Sequence, residues 1–225
     1  MEKLELISFP TCPFVQRSVI LLRHKGIPFT RTEVDLMDAP AWFEKISPLG
    51  QVPVLRIHDK GPGNPAGSRE ARVLFESAVI NEYLDEINPP GLQPPDPFER
   101  ARARAWIALS GELYGTQYQL FSTDDAQTIA ELQKDLFDNL ARVEEAVGQP
   151  PYFSGAQLSL VDTTYAPLFM RLALSPVLWA REAWRALPKT RAWGEALLTL
   201  PAVQGSVSPD FAERFRSQSQ GSPLL

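Results

Sequence analysis

Five of the ten residues 88–97 are proline, at positions 89, 90, 94, 95 and 97. Proline fixes φ and has no N–H to give to a helix or a sheet ladder. The stretch is therefore a stiff linker that neither kind of element can cross. It predicts two domains, residues 1–88 and 98–225, joined by the linker 89–97, and each is long enough to bury a core of its own.

Residues 3–9 alternate charged and apolar side chains and then turn apolar, which predicts a strand. Pro10-Thr11-Cys12-Pro13 follows. Proline is favoured at the first helical position, where an N–H would be unpaired in any case. Phe14, Val15, Val19, Ile20, Leu21 and Leu22 then form a helical stripe, with Gln16, Arg17 and Arg23 off it and Gly26 as the closing cap. A second strand is predicted over 29–34, a short helix over 40–46 and a third strand over 52–57. Pro53 stands where proline is tolerated, as an opening strand residue or a cis residue in a tight turn. Residues 59–71 read as a Gly- and Pro-rich loop, 72–75 as a fourth strand antiparallel to the third, and Ser77 as the cap of a helix over 78–87. This βαβαββα order predicts a thioredoxin-like sheet covered by helices.

Beyond the linker every segment has helical spacing. Residues 98–121 carry Trp106, Leu109, Leu113 and Leu120 on one face, and 129–147 carry Ile129, Leu132, Leu136, Leu140 and Val143 at intervals of three and four. Ser159-Leu160-Val161-Asp162 has the form of a capping box and opens a helix through Tyr165, Leu168, Phe169 and Leu172. Two or three shorter helices are predicted after it, and the Ser-, Gln-, Gly- and Pro-rich tail from Ser217 reads as frayed. The fold class is thus α/β followed by all-α.

Several function classes fall away on composition. With a net charge of -5 and no Lys/Arg cluster, nucleic acid is not expected as a partner. No apolar run approaches the roughly 18 residues of a membrane span. The alternating N-terminus lacks the continuous apolar stretch of a signal peptide, so a cytoplasmic location is expected. His24 and His58 are not at ligand-like spacing, and no metal is expected.

Cys12 is the single cysteine. A lone cysteine is more often inert filler than a nucleophile, but this one sits on a turn at the start of a helix. There the unpaired N–H groups and the helix dipole favour an anion, so the thiol pKa is expected below its free value and the thiolate reactive near neutral pH. No resolving cysteine exists in the chain. A mixed disulfide at Cys12 must therefore be released by an external thiol, and glutathione is the obvious one.

Three further segments are in order with Cys12-Pro13-Phe14: Ser47-Pro48-Leu49-Gly50-Gln51-Val52-Pro53-Val54-Leu55, Leu74-Phe75-Glu76-Ser77-Ala78-Val79-Ile80, and Ser159-Leu160-Val161-Asp162. Together the set resembles the cytosolic glutathione transferases over roughly residues 4 to 205. Cys12-Pro13-Phe14 and Pro40-Ala41-Trp42-Phe43 make it look most like the omega class and the related dehydroascorbate reductases. The resemblance implies a cis-proline at Pro53. It implies that the Val52 backbone pairs with the cysteinyl part of glutathione, and that Glu76 and Ser77 hold its ammonium and α-carboxylate. Omega members commonly have a Lys where this chain has Ala39, which leaves Lys45 or Gln51 as candidates for the glycyl carboxylate. Phe14 is expected beside the bound glutathione. Pro10, Thr11 and the pair Tyr114 and Tyr118, four residues apart on one helix face, are expected at an acceptor pocket between the domains.

The implied activity is a glutathione-dependent thiol transferase or reductase, with Cys12 catalytic and a small electrophilic or disulfide acceptor. The family usually forms homodimers. Two alternatives stand beside this. One is conjugation by activated glutathione, for which a thiol is a poorer hydrogen-bond donor than Ser or Tyr. The other is a non-catalytic glutathione-binding scaffold, since a fold does not by itself fix a function.

Overall fold

The computed structural model of the chain describes residues 3–58, 71–219 and 222–225. The chain divides into two compact units, residues 1–90 and 91–225. The predicted loop 59–71 lies outside the described residues except for Ala71.

In the first unit, β1 (Lys3–Ser8) is an inner strand of a four-stranded sheet of order β2-β1-β3-β4. It pairs in parallel with β2 (Phe29–Glu33), Leu6 opposite Arg31, and antiparallel with β3 (Val54–His58), Leu6 opposite Leu55. β3 pairs antiparallel with the edge strand β4 (Arg72–Phe75). Helix α1 (Pro13–His24) joins the two parallel strands, α2 (Ala41–Ile46) precedes β3, and α3 (Ser77–Glu86) follows β4. Leu6, Ile7, Leu55, Leu21, Leu22 and Ile80 are fully buried, each burial being worth about 1.5–3 kcal/mol.

α1 departs from the amphipathic expectation. Val15 through Leu22 are buried without a break, so Gln16 and Arg17 lie inside rather than on a solvated face. Their polarity is matched across a seam with α3. There Ser77, Asn81 and Asp85 recur at one-turn intervals and so share a face. The Arg17 guanidinium donates to Ser77 Oγ, through Nε at 2.9 Å and through a terminal nitrogen as well. Ser18 Oγ donates to Asn81 Oδ1 at 2.7 Å. Lys25 pairs with Asp85 at 2.7 Å and also donates to the carbonyls of Asn88 and Pro90, at 2.5 and 2.8 Å. These contacts tie the segment just beyond the C-terminus of α3 back to the end of α1.

The second unit is built from α4 (Pro97–Leu120), α5 (Ala126–Ala146), α6 (Leu160–Ala173) and α9 (Pro188–Leu198). The shorter α7 (Pro176–Trp179), α8 (Glu182–Arg185), α10 (Pro201–Gln204) and α11 (Phe211–Gln218) complete it. Among the described residues five helices thus follow α6, more than the two or three expected. The tail is not simply frayed either: α11 runs to Gln218, and the buried Leu224 accepts a hydrogen bond from Ser175 Oγ at 2.6 Å.

α6 is buried along almost its whole length and carries Pro167 in its interior. A helix-internal proline removes one backbone donor and crowds the preceding turn, and side chains of α4 supply donors on either side of it. Tyr114 Oη donates to the Thr164 carbonyl at 2.5 Å, and Gln117 Nε2 to that of Leu168 at 3.0 Å. This corrects the expectation for Tyr114 and Tyr118. Tyr114 is 3% exposed and ties α4 to α6, whereas Tyr118 is 75% exposed. They do not present a common surface.

The expected capping box is present at Ser159 and Asp162. Asp162 is fully buried, and its carboxylate accepts from the Phe153 N–H, the Ser159 N–H and hydroxyl, and the Trp193 indole, at 2.6–2.8 Å. Trp193 in turn packs against Phe169 and Tyr165, ring centroids 5.0 and 5.1 Å away. Gly194 on α9 admits this approach, because a Cβ there would sit 3.0 Å from the Phe169 ring. Among the described residues no helix is long and apolar enough to cross a membrane, and no group of three His, Cys, Asp or Glu could hold a metal ion.

Removing the Asp162 carboxylate strands several buried donors, each costing about 1–3 kcal/mol. Asp162→Ala is expected to lower the unfolding free energy by at least about 3 kcal/mol, measured by urea denaturation followed by tryptophan fluorescence. A loss below about 1 kcal/mol would contradict the organising role assigned to that carboxylate.

Candidate active site

Cys12 occupies the N-cap position of α1, between β1 and the helix, with φ -69° and ψ 121° and Pro13 as the first helical residue. Its N–H donates to the Phe9 carbonyl and its carbonyl accepts from Gln16, both at 3.1 Å, so its backbone is held on both sides. The side chain is half-buried. Its thiol donates to the Val52 carbonyl at 3.8 Å. Across from it, the Val52-Pro53 peptide bond is cis, and the pairing of β3 begins only at Val54. The Val52 backbone therefore lies just beyond the sheet's own ladder.

The approach to Val52 is a closed loop. Ser47 Oγ donates to the Gln51 carbonyl and accepts from the Gln51 N–H, both at 2.8 Å. Gly50 makes the turn with φ 63°, a conformation that glycine adopts without a Cβ clash. On the other side, a single residue converts β4 into α3. Glu76 caps α3 with φ 67° and ψ 108°, and among the described residues it is the non-glycine residue with positive φ. Ser77, expected as the cap, is instead the first helical residue.

These elements enclose a cleft of about 430 Å³. Cys12, Phe14, Gln51, Val52, Pro53, Glu76 and Ser77 line it, and all seven were singled out in the sequence. Lys45 does not: it lies on the exposed side of α2. Gln51 is thus the one of the two glycyl-carboxylate candidates that reaches the cleft. Pro10 and the buried Thr11 form the turn before Cys12 and do not line this cleft.

Some lining residues went unrecognised. Leu36, Phe75, Ser47 and Leu49 contribute to the walls, although the last two stand in the Ser47–Val52 run that pointed to the site. Arg17 is the important omission. It is 5% exposed, reaches the cleft, and stacks over the Phe14 ring 5.1 Å from its centroid. A charged residue set between the apolar stretches Phe14-Val15 and Val19–Leu22 was the available signal.

In chemical terms, the cleft places a sulfur at a positive helix end, a strand-edge backbone facing it, and a carboxylate and a guanidinium at the N-terminus of α3. Such a set of groups suits an extended, zwitterionic thiol.

Comparison with known proteins agrees with that inference. A model for the glutathione S-transferase N-terminal domain matches residues 11–87, and one for the glutathione S-transferase C-terminal domain matches residues 126–196. The chain is 30% identical over 203 residues to glutathione S-transferase omega-1 of Sus scrofa, covering 89% of this chain and 78% of the relative. It is also 30% identical over 226 residues to pyrimidodiazepine synthase of Drosophila melanogaster, covering 98% and 88%. Among solved structures, glutathione transferase Omega 3C from Trametes versicolor superimposes with a TM-score of 0.75 at 30% identity, covering 92% of this chain and 90% of that one.

The conformation of Glu76 makes a prediction independent of any ligand. Alanine there keeps the unfavourable backbone, whereas glycine relieves it. Glu76→Gly is expected to be more stable than Glu76→Ala by about 1 kcal/mol, read from urea midpoints. Equal midpoints would mean that the positive φ carries no cost.

Proposed function

This chain belongs to the glutathione S-transferases, with an omega-like character, and is a glutathione-dependent transferase; from that premise we propose that it transfers thiols through a mixed disulfide at Cys12. The observation that carries the proposal is the position of Cys12, half-buried at the N-cap of α1 with its sulfur 3.8 Å from the Val52 carbonyl. The N-terminal dipole of α1 favours negative charge at this position.

The cycle balances with glutathione alone as reductant. The Cys12 thiolate attacks the glutathionyl sulfur of a mixed disulfide. A Cys12–glutathione disulfide forms, and the acceptor thiolate leaves and takes a proton from solvent. A second glutathione, as its thiolate, attacks the glutathionyl sulfur on Cys12, releasing glutathione disulfide and regenerating the Cys12 thiolate. The chain has one cysteine, so no internal thiol competes for the second step.

In the bound tripeptide, the Val52 backbone pairs with the cysteinyl residue as an added strand would. Glu76 takes the ammonium and Ser77 the α-carboxylate, while Gln51 lies towards the glycyl end. Phe14 packs beside the sulfur. The acceptor is a small disulfide or an electrophile bearing glutathione. The same reading carries a homodimer, checked by light scattering, and a cytoplasmic setting in which glutathione keeps thiols reduced.

Cys12→Ser is expected to reduce turnover of hydroxyethyl disulfide with glutathione by on the order of 100-fold or more. Mass spectrometry of the wild type exposed to glutathione disulfide should show one glutathionyl adduct, confined to Cys12. Full reductase activity in the variant, or chloro-dinitrobenzene conjugation exceeding disulfide reduction in the wild type, would overturn the proposal.

A further inference from the structure

The proposed cycle gives Arg17 no part, yet among the described residues lining the cleft it is the cation, and it is almost wholly buried. Its contacts define what Ser77 can do. A hydroxyl oxygen has two lone pairs and one proton. Arg17 donates to Ser77 Oγ from Nε at 2.9 Å and from a terminal nitrogen, so both lone pairs are engaged. The hydroxyl proton is the polar capacity that remains, and it can only be donated. Ser77 is also the first residue of the ten-residue α3, where backbone N–H groups have no intrahelical partner and the helix dipole is positive. Hydroxyl, amide and guanidinium therefore present one electrical sign at this corner of the cleft. The guanidinium is itself held by its place in the buried face of α1 and by the Phe14 ring beneath it.

We propose that Arg17 is a positioning and specificity-determining residue: by filling the acceptor sites of Ser77 it makes this corner donor-only, so that the corner admits a carboxylate and rejects the isosteric carboxamide. The inference rests on the glutathione reading above and concerns the α-carboxylate of the γ-glutamyl end. Arg17 acts through Ser77 and has no role in the chemistry at sulfur. A carboxylate offers acceptors only, whereas a carboxamide turns two donors towards groups that cannot accept them. Lysine is not an equivalent replacement, because it offers a point charge rather than a planar fork.

The test is isothermal titration with S-methylglutathione, which cannot form a disulfide with Cys12, and with its counterpart in which the γ-glutamyl α-carboxylate is an α-carboxamide. The wild type is expected to bind the carboxylate form about 10- to 100-fold more tightly. Arg17→Gln should bring that ratio towards one, because a neutral amide lets Ser77 accept. Arg17→Lys should fall between, and Ser77→Ala should lose the ratio with Arg17 intact. In turnover, Arg17→Gln should raise KM for glutathione while kcat at saturating glutathione stays near the wild-type value. If Arg17→Gln binds S-methylglutathione and keeps the wild-type ratio, this proposal is overturned and the glutathione reading stands. If the wild type binds neither ligand, both are overturned. Should Arg17→Gln fail to fold, Arg17→Lys and Ser77→Ala decide the matter, and an unchanged ratio in both overturns the proposal.

Discussion

Where α1 and α3 meet, three polar pairs recur down the groove: Arg17 with Ser77, Ser18 with Asn81, Lys25 with Asp85. A buried polar group is tolerable only with its partner present. A slip of one helix along the other would leave several of these groups unmatched at once. The Lys25–Asp85 pair contributes little net stability, because the desolvation of two charges offsets most of their attraction. What it supplies is register. The N-terminus of α1 carries Cys12 and that of α3 carries Ser77, with Glu76 immediately before it. The register of the two helices therefore sets the separation between the sulfur and the N-terminus of α3. An all-apolar groove of the same volume would hold the helices together without specifying that separation.

The second unit uses a buried carboxylate in a related way. Asp162 gathers the N-terminus of α6, the Phe153 N–H and the Trp193 indole around one group. Burial pushes its carboxyl above the ordinary range, and the hydrogen bonds donated by Ser159, Phe153 and Trp193 oppose that shift. Each donor comes from a different stretch of chain, so the carboxylate constrains three segments together, and the aromatic packing of Trp193 on Phe169 and Tyr165 is built on that frame.

The sequence was most readable where local chemistry and fold agree. The Cys12-Pro13 turn and the Ser159–Asp162 box are set by residues a few positions apart, whereas the residues around Pro53 leave its isomer open and only the family resemblance implies cis. Arg17 is not legible as a site residue, because a polar side chain off the apolar stripe of a helix ordinarily marks a solvated face, and α1 is instead buried on every side along its middle. Tyr114 and Tyr118 are correctly placed on one helix, but which of them is buried is set by the packing of α4 on α6, some fifty residues away, where Tyr114 reaches the Thr164 carbonyl. Lys45 was offered for its charge, yet its side of α2 faces outward. The cap of α3 was assigned to Ser77 because serine is a preferred N-cap. No compositional rule anticipates a glutamate in the left-handed half of conformational space at Glu76.

That glutamate has an evolutionary consequence. At the junction of β4 and α3, selection for foldability favours glycine or asparagine, residues at ease with the local backbone. Selection for a charged side chain at the cleft favours glutamate. On the function proposed above the two pressures oppose each other at one codon, and the chain carries glutamate. Lineages released from the need to recognise a ligand would be expected to drift towards glycine here early, so the identity of this residue in a divergent copy would record whether its cleft is still in use.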